Sequence, residues 1–500
     1  VTRQRTVLIT IAVMMSLFMA SMEATVIATA MPTIVSELGG LESFSWVFAI
    51  YMLTSTIAGP IFGKLSDMIG RRPVYFVAIG MFTLGSLLCG LAPTMPALIA
   101  ARAVQGIGAG GLQPLAFIII GDIFTLEQRA RIQGLFSGVW GVSSVIGPLL
   151  GGLIVDVASW HWVFLINLVP AAAAALLFNA GWRDAARRDG PRPRIDYAGA
   201  GLLAGGVALL LLGLDHPTTP SGLALLAGSA VVLVLLVIVE LRAEAPILPV
   251  TLFRDRLFAV ACAQGILAGS VLFGSVNYIP LYVQTVLGSS ATEAGSTITP
   301  MMLGWVFTSI IAGRLLLLVN YRNLVVTGMS LFAVGAFLLS RIRPEMSRFE
   351  LALAVALMGI GMGASIPSFL ISVQSSVARS SLGTATSTLT FSRTIGGAIG
   401  VATLGGILAN RIVSELAARG LPADAIDLAA LIDSHSSSAV SLAAGPTEAL
   451  AAAMGATFAA PFVIALLAFA AVLFAPHLTV AQLKAARAAN HQPAPAAAQD

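Results

Sequence analysis

The sequence predicts an all-α polytopic membrane protein of fourteen spans, two six-helix repeats with two helices inserted between them. Three observations predict it: too little charge for a water-facing surface, apolar runs of membrane-crossing length, and an internal repeat near half the chain length. Of 500 residues, 57% are hydrophobic and 10% charged, where a soluble globular chain carries roughly 25% charge. A soluble enzyme and a disordered chain are both excluded. Cys89 and Cys262 each lie in an apolar run, so neither a disulfide framework nor a cysteine zinc site is available.

A bilayer core of about 30 Å takes roughly 20 apolar residues per helix. Apolar runs broken by charge, Pro and Gly lie near 7–33, 45–66, 73–92, 96–120, 131–155, 162–181, 196–214, 221–240, 257–286, 294–318, 324–340, 349–375, 384–410 and 452–475. The first follows Arg3 and Arg5 as in a signal peptide, but it is too long for a cleaved apolar region and reads as an uncleaved span. With the N-terminus in the cytoplasm, twenty Lys/Arg fall on the cytoplasmic side and five on the far side. That bias follows the positive-inside rule and places both termini in the cytoplasm. Three charges remain inside the membrane: Glu23, Arg102 and Arg393.

The spans divide the chain into a first six-helix bundle over 1–182, two inserted helices with their linkers over 183–256, and a second bundle over 257–478. The basic linker from Arg183 to Arg194 reads as a topology determinant. The far-side loop 412–450 is acidic, with a short surface helix expected after Pro422, and the Pro/Ala-rich tail within 479–500 reads as disordered.

The repeat is visible residue by residue. Gly106-Ile107-Gly108-x-Gly110-x-x-x-Pro114 recurs as Gly359-Ile360-Gly361-x-Gly363-x-x-x-Pro367. Pro32 has its mate in Pro280, and Gly63 and Arg72 have theirs in Gly313 and Arg322. Two six-span repeats with a site between them are the build of many secondary transporters. The positions matching Glu23 and Arg102 in the second half are Val271 and Val355, so charge chemistry is expected in the first half alone.

Several segments resemble the major facilitator superfamily. Gly63-Lys64-Leu65-Ser66-Asp67-Met68-Ile69-Gly70-Arg71-Arg72 resembles its signature loop, and Arg102 through Gly108 its span-four motif. Gly141 through Gly152, with Gly147-Pro148 and Gly151-Gly152, is similar to the span-five motif of its antiporters. Met22 through Pro32 is similar to the first span of its fourteen-span drug:proton antiporters. Further matches are Trp160-His161-Trp162 with Ile166-Asn167, and Tyr278 through Gln284. Glu23 stands where that family usually has Asp, and His161 where Arg is usual. The resemblance implies a bacterial multidrug efflux protein of the inner (plasma) membrane, using the proton as coupling ion and no other cofactor.

A carboxylate at the bilayer centre costs on the order of 3 kcal/mol on insertion scales. Glu23 is therefore the leading candidate for proton exchange or for pairing with a cationic substrate; a helix-packing carboxyl bonded to Ser or Thr is the alternative. Arg102 is expected to tune it, directly or through Gln105, unless the pair is purely structural. Gly63, Asp67, Arg71 and Arg72 are expected to latch the cytoplasmic side, with Arg393 a gate or packing charge. Gly147, Pro148, Gly151 and Gly152 allow close helix approach and a bend; that the bend seals the site is implied by the resemblance alone. Trp46, Tyr51, Trp140, Phe273, Asn277, Tyr278, Tyr282, Trp305 and Phe391 are candidate pocket residues for flat lipophilic cations.

There is no Walker motif, catalytic triad, metal cluster or mid-membrane histidine. The expected partners are small lipophilic substrates, protons and the bilayer, with no nucleic acid, and the chain is expected to act as a monomer. The function read here is proton-coupled export of amphipathic, cationic compounds. The alternatives are export of a neutral or anionic metabolite or lipid with the same coupling, and a non-transporting receptor or scaffold.

Overall fold

The computed structural model describes residues 3–40, 43–124, 126–182, 196–215, 219–243, 250–316, 318–344, 346–377, 382–421 and 444–477. The basic linker, most of loop 412–450 and the C-terminal tail, each the subject of an expectation above, lie outside them. So do the side chains of Asp67 and Trp140.

The described chain is helical throughout. The first half contributes α1 (Arg3–Leu38), α2 (Phe44–Ile69), α3 (Arg71–Gly90), α4 (Met95–Ile123), α5 (Leu126–Val157), α6 (His161–Leu165) and α7 (Leu168–Gly181). Then come α8 (Tyr197–Asp215) and α9 (Pro220–Glu240). The second half contributes α10 (Arg256–Thr285), α11 (Ala291–Leu315), α12 (Tyr321–Ser340), α13 (Arg348–Ser376), α14 (Leu382–Ala418), α15 (Ala444–Thr457) and α16 (Ala459–Leu473). Helix starts follow local chemistry: Thr94, Thr219, Asp255, Ser290, Asn320 and Ser347 each accept a hydrogen bond from a first-turn amide, and Ser347 with Glu350 closes a capping box.

Among the described residues, twelve helical stretches are long and apolar enough to cross a membrane, where fourteen are expected. The two that fall short are spans five and seven of the expected set. They appear as shorter apolar helices over Gly141–Val157 and Ala198–Leu214. The reason is compositional: the start of α5 holds Glu127, Gln128, Arg129 and Arg131, and α8 is only 19 residues long.

The glycines of the duplicated run explain how each half is packed. A Cβ on Gly106 or Gly110 would run into the backbone of α2 at Tyr51 or Ser55, and one on Gly108 would strike α3 at Phe82. In the second half, Gly359 and Gly363 meet α11 at Met301 and Trp305, while Gly361 meets α12 at Gly328 and Phe332. Small residues let backbones approach where lipid supplies no hydrophobic drive. One pair of helices is thus clamped on α4 and its equivalent on α13. The sixth span of each half is interrupted: α6 and α7 are parted at Ile166-Asn167, α15 and α16 at Phe458.

The side of the membrane holding the start of α1 is the near side here, its opposite the far side. The halves meet in the far part of the molecule. Gln284 donates to the Thr29 carbonyl at 3.0 Å. Gly152 and Gly295 bring α5 and α11 together backbone to backbone, at Ala291 and Pro148. Asp156, at the end of α5, accepts from the Ala291 and Thr292 amides at 3.2 and 2.9 Å, so a carboxylate of one half caps a helix of the other. On the opposite flank α2 meets α14, with Ser45 against Gly405 and Met52 against Gly397. The α8–α9 hairpin packs against that second seam through Leu203, Val207 and Leu211.

Candidate functional site

Glu23 lies midway along α1 and Arg102 two turns into α4. Their side chains meet in the first half, with Arg102 Nη1 donating to Glu23 Oε1 at 2.6 Å and exposures of 1% and 0%. The same nitrogen donates to Gln105 Oε1 at 2.7 Å, and Arg102 Nε donates to the Val47 carbonyl at 3.2 Å. The guanidinium lies 4.1 Å from the centre of the Tyr51 ring and 5.9 Å from that of Phe164, where a desolvated cation–π contact contributes about 2 kcal/mol. Direct tuning of Glu23 by Arg102, one of the two routes expected, has the contact it needs.

Residues outside the expected set extend the network, Cys89 Sγ among them, donating to Gln105 Oε1 at 3.7 Å. Asn167 Nδ2 donates to Glu23 Oε2 at 2.7 Å, and Ser86 Oγ accepts from Gln105 Nε2 at 2.8 Å. Asn167 sits at the junction of α6 and α7 in the sixth span. Its Oδ1 is buried and has no hydrogen-bond partner among the described residues. The sequence signal was available: an amide inside an apolar run. Ser86 gives none, because serines are scattered through most spans. Its approach depends on Gly85, whose missing Cβ leaves room for the Gln105 backbone.

With both carboxylate oxygens engaged, the charges of Glu23 and Arg102 are neutralised within one contact. Removing one partner of such a buried pair costs about 3–5 kcal/mol, because the other charge is stranded. Protonating Glu23 does this chemically.

The near-side residues form clamps within the first half. Arg71 Nε pairs with Asp122 Oδ2 at the end of α4 at 2.9 Å, and its Nη1 donates to Ser66 Oγ at 2.8 Å. Arg72 donates to Asn179 Oδ1 on α7 at 2.6 Å. Gly63 lies opposite Ile118 of α4. In the second half Arg322 donates to the Leu473 carbonyl at 2.7 Å and contacts His477. The span-five glycines divide between two neighbours. Gly147 and Gly151 face Thr25 and Thr29 of α1, whereas Gly152, with Pro148, faces α11 of the other half.

The described candidate pocket residues divide among several packing groups. Trp46 and Phe391 pack in the cluster that α8 makes with α2 and α14, and Phe273 borders that cluster and the main core. Tyr51 lies beneath Arg102 and donates to the Ala20 carbonyl at 3.2 Å. Tyr278 donates to the Val401 carbonyl at 3.2 Å, Tyr282 is buried beside Phe458, and Asn277 donates to the Phe273 carbonyl at 2.7 Å. Trp305 is half-buried on α11 beside Gly363. Each of these groups except Phe273 is taken up by packing or by a backbone partner. Arg393, on α14, is half-buried and makes no hydrogen bond or ion pair among the described residues.

The family and the relatives that the chain matches define its class, a membrane transporter and not an enzyme. The chain belongs to the Major Facilitator Superfamily, whose profile matches residues 13–401. It is 39% identical over 411 residues to the multidrug transporter protein MdtP of Bacillus subtilis, covering 81% of this chain and 75% of that protein. It is 37% identical over 414 residues to multidrug resistance protein 3 of the same organism, covering 82% and 80%. Among solved structures it matches a bacterial homolog of the human lysosomal transporter Spinster, in an inward-facing, unoccupied conformation. The TM-score is 0.71 at 16% identity, over 95% of this chain and 97% of that one, a likeness of fold.

Proposed function

We propose that this protein is a proton-coupled exporter of amphipathic compounds, an antiporter of the plasma membrane that works by alternating access. The observation that carries the reading is the Glu23–Arg102–Asn167 contact, a titratable carboxylate enclosed by the first half and tied across three of its spans. In this reading the near side is cytoplasmic and the chain crosses fourteen times, spans five and seven being α5 and α8. The far-side contacts between the halves then describe a state closed to the outside. Kinship with proteins named multidrug transporters supports export of drug-like compounds.

The residues suggest how a proton could bias the two states. Ionised Glu23 holds Arg102 and accepts from Asn167. Once protonated it no longer attracts the guanidinium, and its new O–H can donate to Asn167 Oδ1 after the amide turns. Arg102 keeps Gln105, the Val47 carbonyl and the Tyr51 ring. The network is therefore satisfied differently in the two protonation states, and a ligand can shift a conformational equilibrium only through such a difference. On the charge of the substrate, the geometry favours the second reading, in which Glu23 serves protons alone: both its oxygens are already engaged, so a cation would have to displace Arg102.

The test is Glu23→Gln in everted membrane vesicles, with dye efflux and proton uptake followed together. Loss of coupled exchange at normal expression is expected. Undiminished dye/proton exchange would sink the proposal.

A further inference from the structure

Of the three charges inside the membrane, Glu23 and Arg102 satisfy each other, which leaves Arg393 as the uncompensated one among the described residues. Its direction follows from the helix it sits on. Phe391, Ile395, Ala398 and Ala402 form the stripe of α14 that packs toward α8 and α2. At 3.6 residues per turn, Arg393 stands roughly half a turn from that stripe, on the side where Gly265 and Gly269 of α10 come against its backbone. Gly397 is one turn further along this face, and a Cβ there would meet Phe273 at 2.6 Å and Met52 of the first half at 3.2 Å. Arg393 thus lies just to the near side of the point where the halves touch. It is half-buried, not sealed within the packing.

Among the described residues no carboxylate pairs with it, and Asp196, before α8, lies on the side of α14 that carries the stripe. The pairs Ser45–Gly405 and Met52–Gly397 set an antiparallel register in which Thr56 and Ile57 come opposite Arg393. The next acidic position along α2 is Asp67, about ten residues on, or roughly 15 Å at 1.5 Å per residue. On its own half, α10 has no acidic residue and α13 has only Glu350, in its first turn at the far end. A guanidinium held in a membrane without a counter-ion is costly, and such residues mark substrate or ion paths. Its planar fork of donors matches a carboxylate or phosphate oxygen pair.

We infer that Arg393 anchors the anionic head of an amphipathic substrate, whose apolar body lies toward Phe273 and Met52 at the seam. The inference rests on the exporter reading and narrows its substrate to amphiphiles bearing one anionic group. A free amphipathic acid and an anionic phospholipid share that chemistry.

The experiment uses the full-length protein in nanodiscs of neutral phosphatidylcholine. Three fluorescent probes share one alkyl body and end in a carboxylate, a carboxamide or a trimethylammonium group. The carboxylate probe is expected to bind tightest. Arg393→Gln should weaken it at least tenfold, Arg393→Lys should recover part of the loss, and the other two probes should be indifferent to either change. The glutamine variant should melt no lower than wild type, since it removes a charge that has no partner. Equal carboxylate binding by wild type and Arg393→Gln overturns the inference, as does wild-type preference for trimethylammonium, which needs no variant at all. Added phosphatidylglycerol separates the two sources: competition that vanishes in Arg393→Gln assigns the head to a phospholipid, and no competition assigns it to a free acid. Vesicle transport of the same probes is measured alongside. If none is exported, the exporter reading fails; if export survives without a carboxylate preference, only this inference does.

Discussion

The two halves of this transporter share a scaffold and differ in their interior chemistry. Gly106, Gly108 and Gly110 pull α2 and α3 onto α4 just as Gly359, Gly361 and Gly363 pull α11 and α12 onto α13. Yet where the first half buries Glu23 against Arg102, the second buries Val271 and Val355, at 1% and 0% exposure. Backbone approach has been kept in both copies, and the buried ion pair in one. The close packing does not depend on the charges, so the ion pair is free to serve a purpose other than holding the bundle together.

The largest effect should come from making the first half resemble the second. Glu23→Val or Arg102→Val alone strands a buried charge and should cost about 3–5 kcal/mol, seen as a large fall in melting temperature in detergent. The double variant Glu23→Val/Arg102→Val should melt near or above wild type while losing proton-coupled transport. A double variant as unstable as the singles would show that the pair is structural, and the contrast between the halves would then say nothing about function.

A smaller effect tests the shared scaffold. Gly106→Ala and Gly359→Ala each push a methyl group into the backbone of a neighbouring helix, and overpacking of this kind costs about 1–3 kcal/mol. Similar losses are expected for the two, read as matched shifts in melting temperature. A first-half glycine that tolerated alanine while its mate did not would mean the clamps are not equivalent.

The smallest concerns the seam between the halves. Asp156→Ala removes the cap that α5 places on α11, and a carboxylate at a helix N-terminus contributes about 0.3–1 kcal/mol. Far-side closure should loosen by a few-fold, measured as faster labelling of a cysteine placed at Gln284. Slower labelling, or none of the expected change, would show that the glycine contact at Gly152 and Gly295 closes the far side unaided.

Much of this fold was legible because its signals are local. Span lengths, the glycine runs and the duplicated prolines are read within single segments, and the pairing of Glu23 with Arg102 follows from placing two charges at similar depth. The span count was harder, because α5 begins with a polar, charged stretch and α8 is barely of spanning length. Asn167 was in view as part of a motif without an assigned role, since its contact with Glu23 is made across 144 positions of sequence. Asp156 reads as an ordinary loop-end acid until α11 is placed opposite it. The pocket aromatics were the least legible group, because an aromatic side chain in a span signals packing as readily as binding. Tyr278 packs against Phe44 of the first half and donates to the Val401 carbonyl, and Tyr282 packs beside Phe458.

The claim that matters most is that Glu23 is the residue whose proton is exchanged for substrate. Proton release into a weakly buffered detergent solution, recorded as substrate is added to purified protein, tests it without vesicles or a gradient. Wild type is expected to release protons and Glu23→Gln to release none, at equal substrate binding. Release of the same size from the glutamine variant would contradict it.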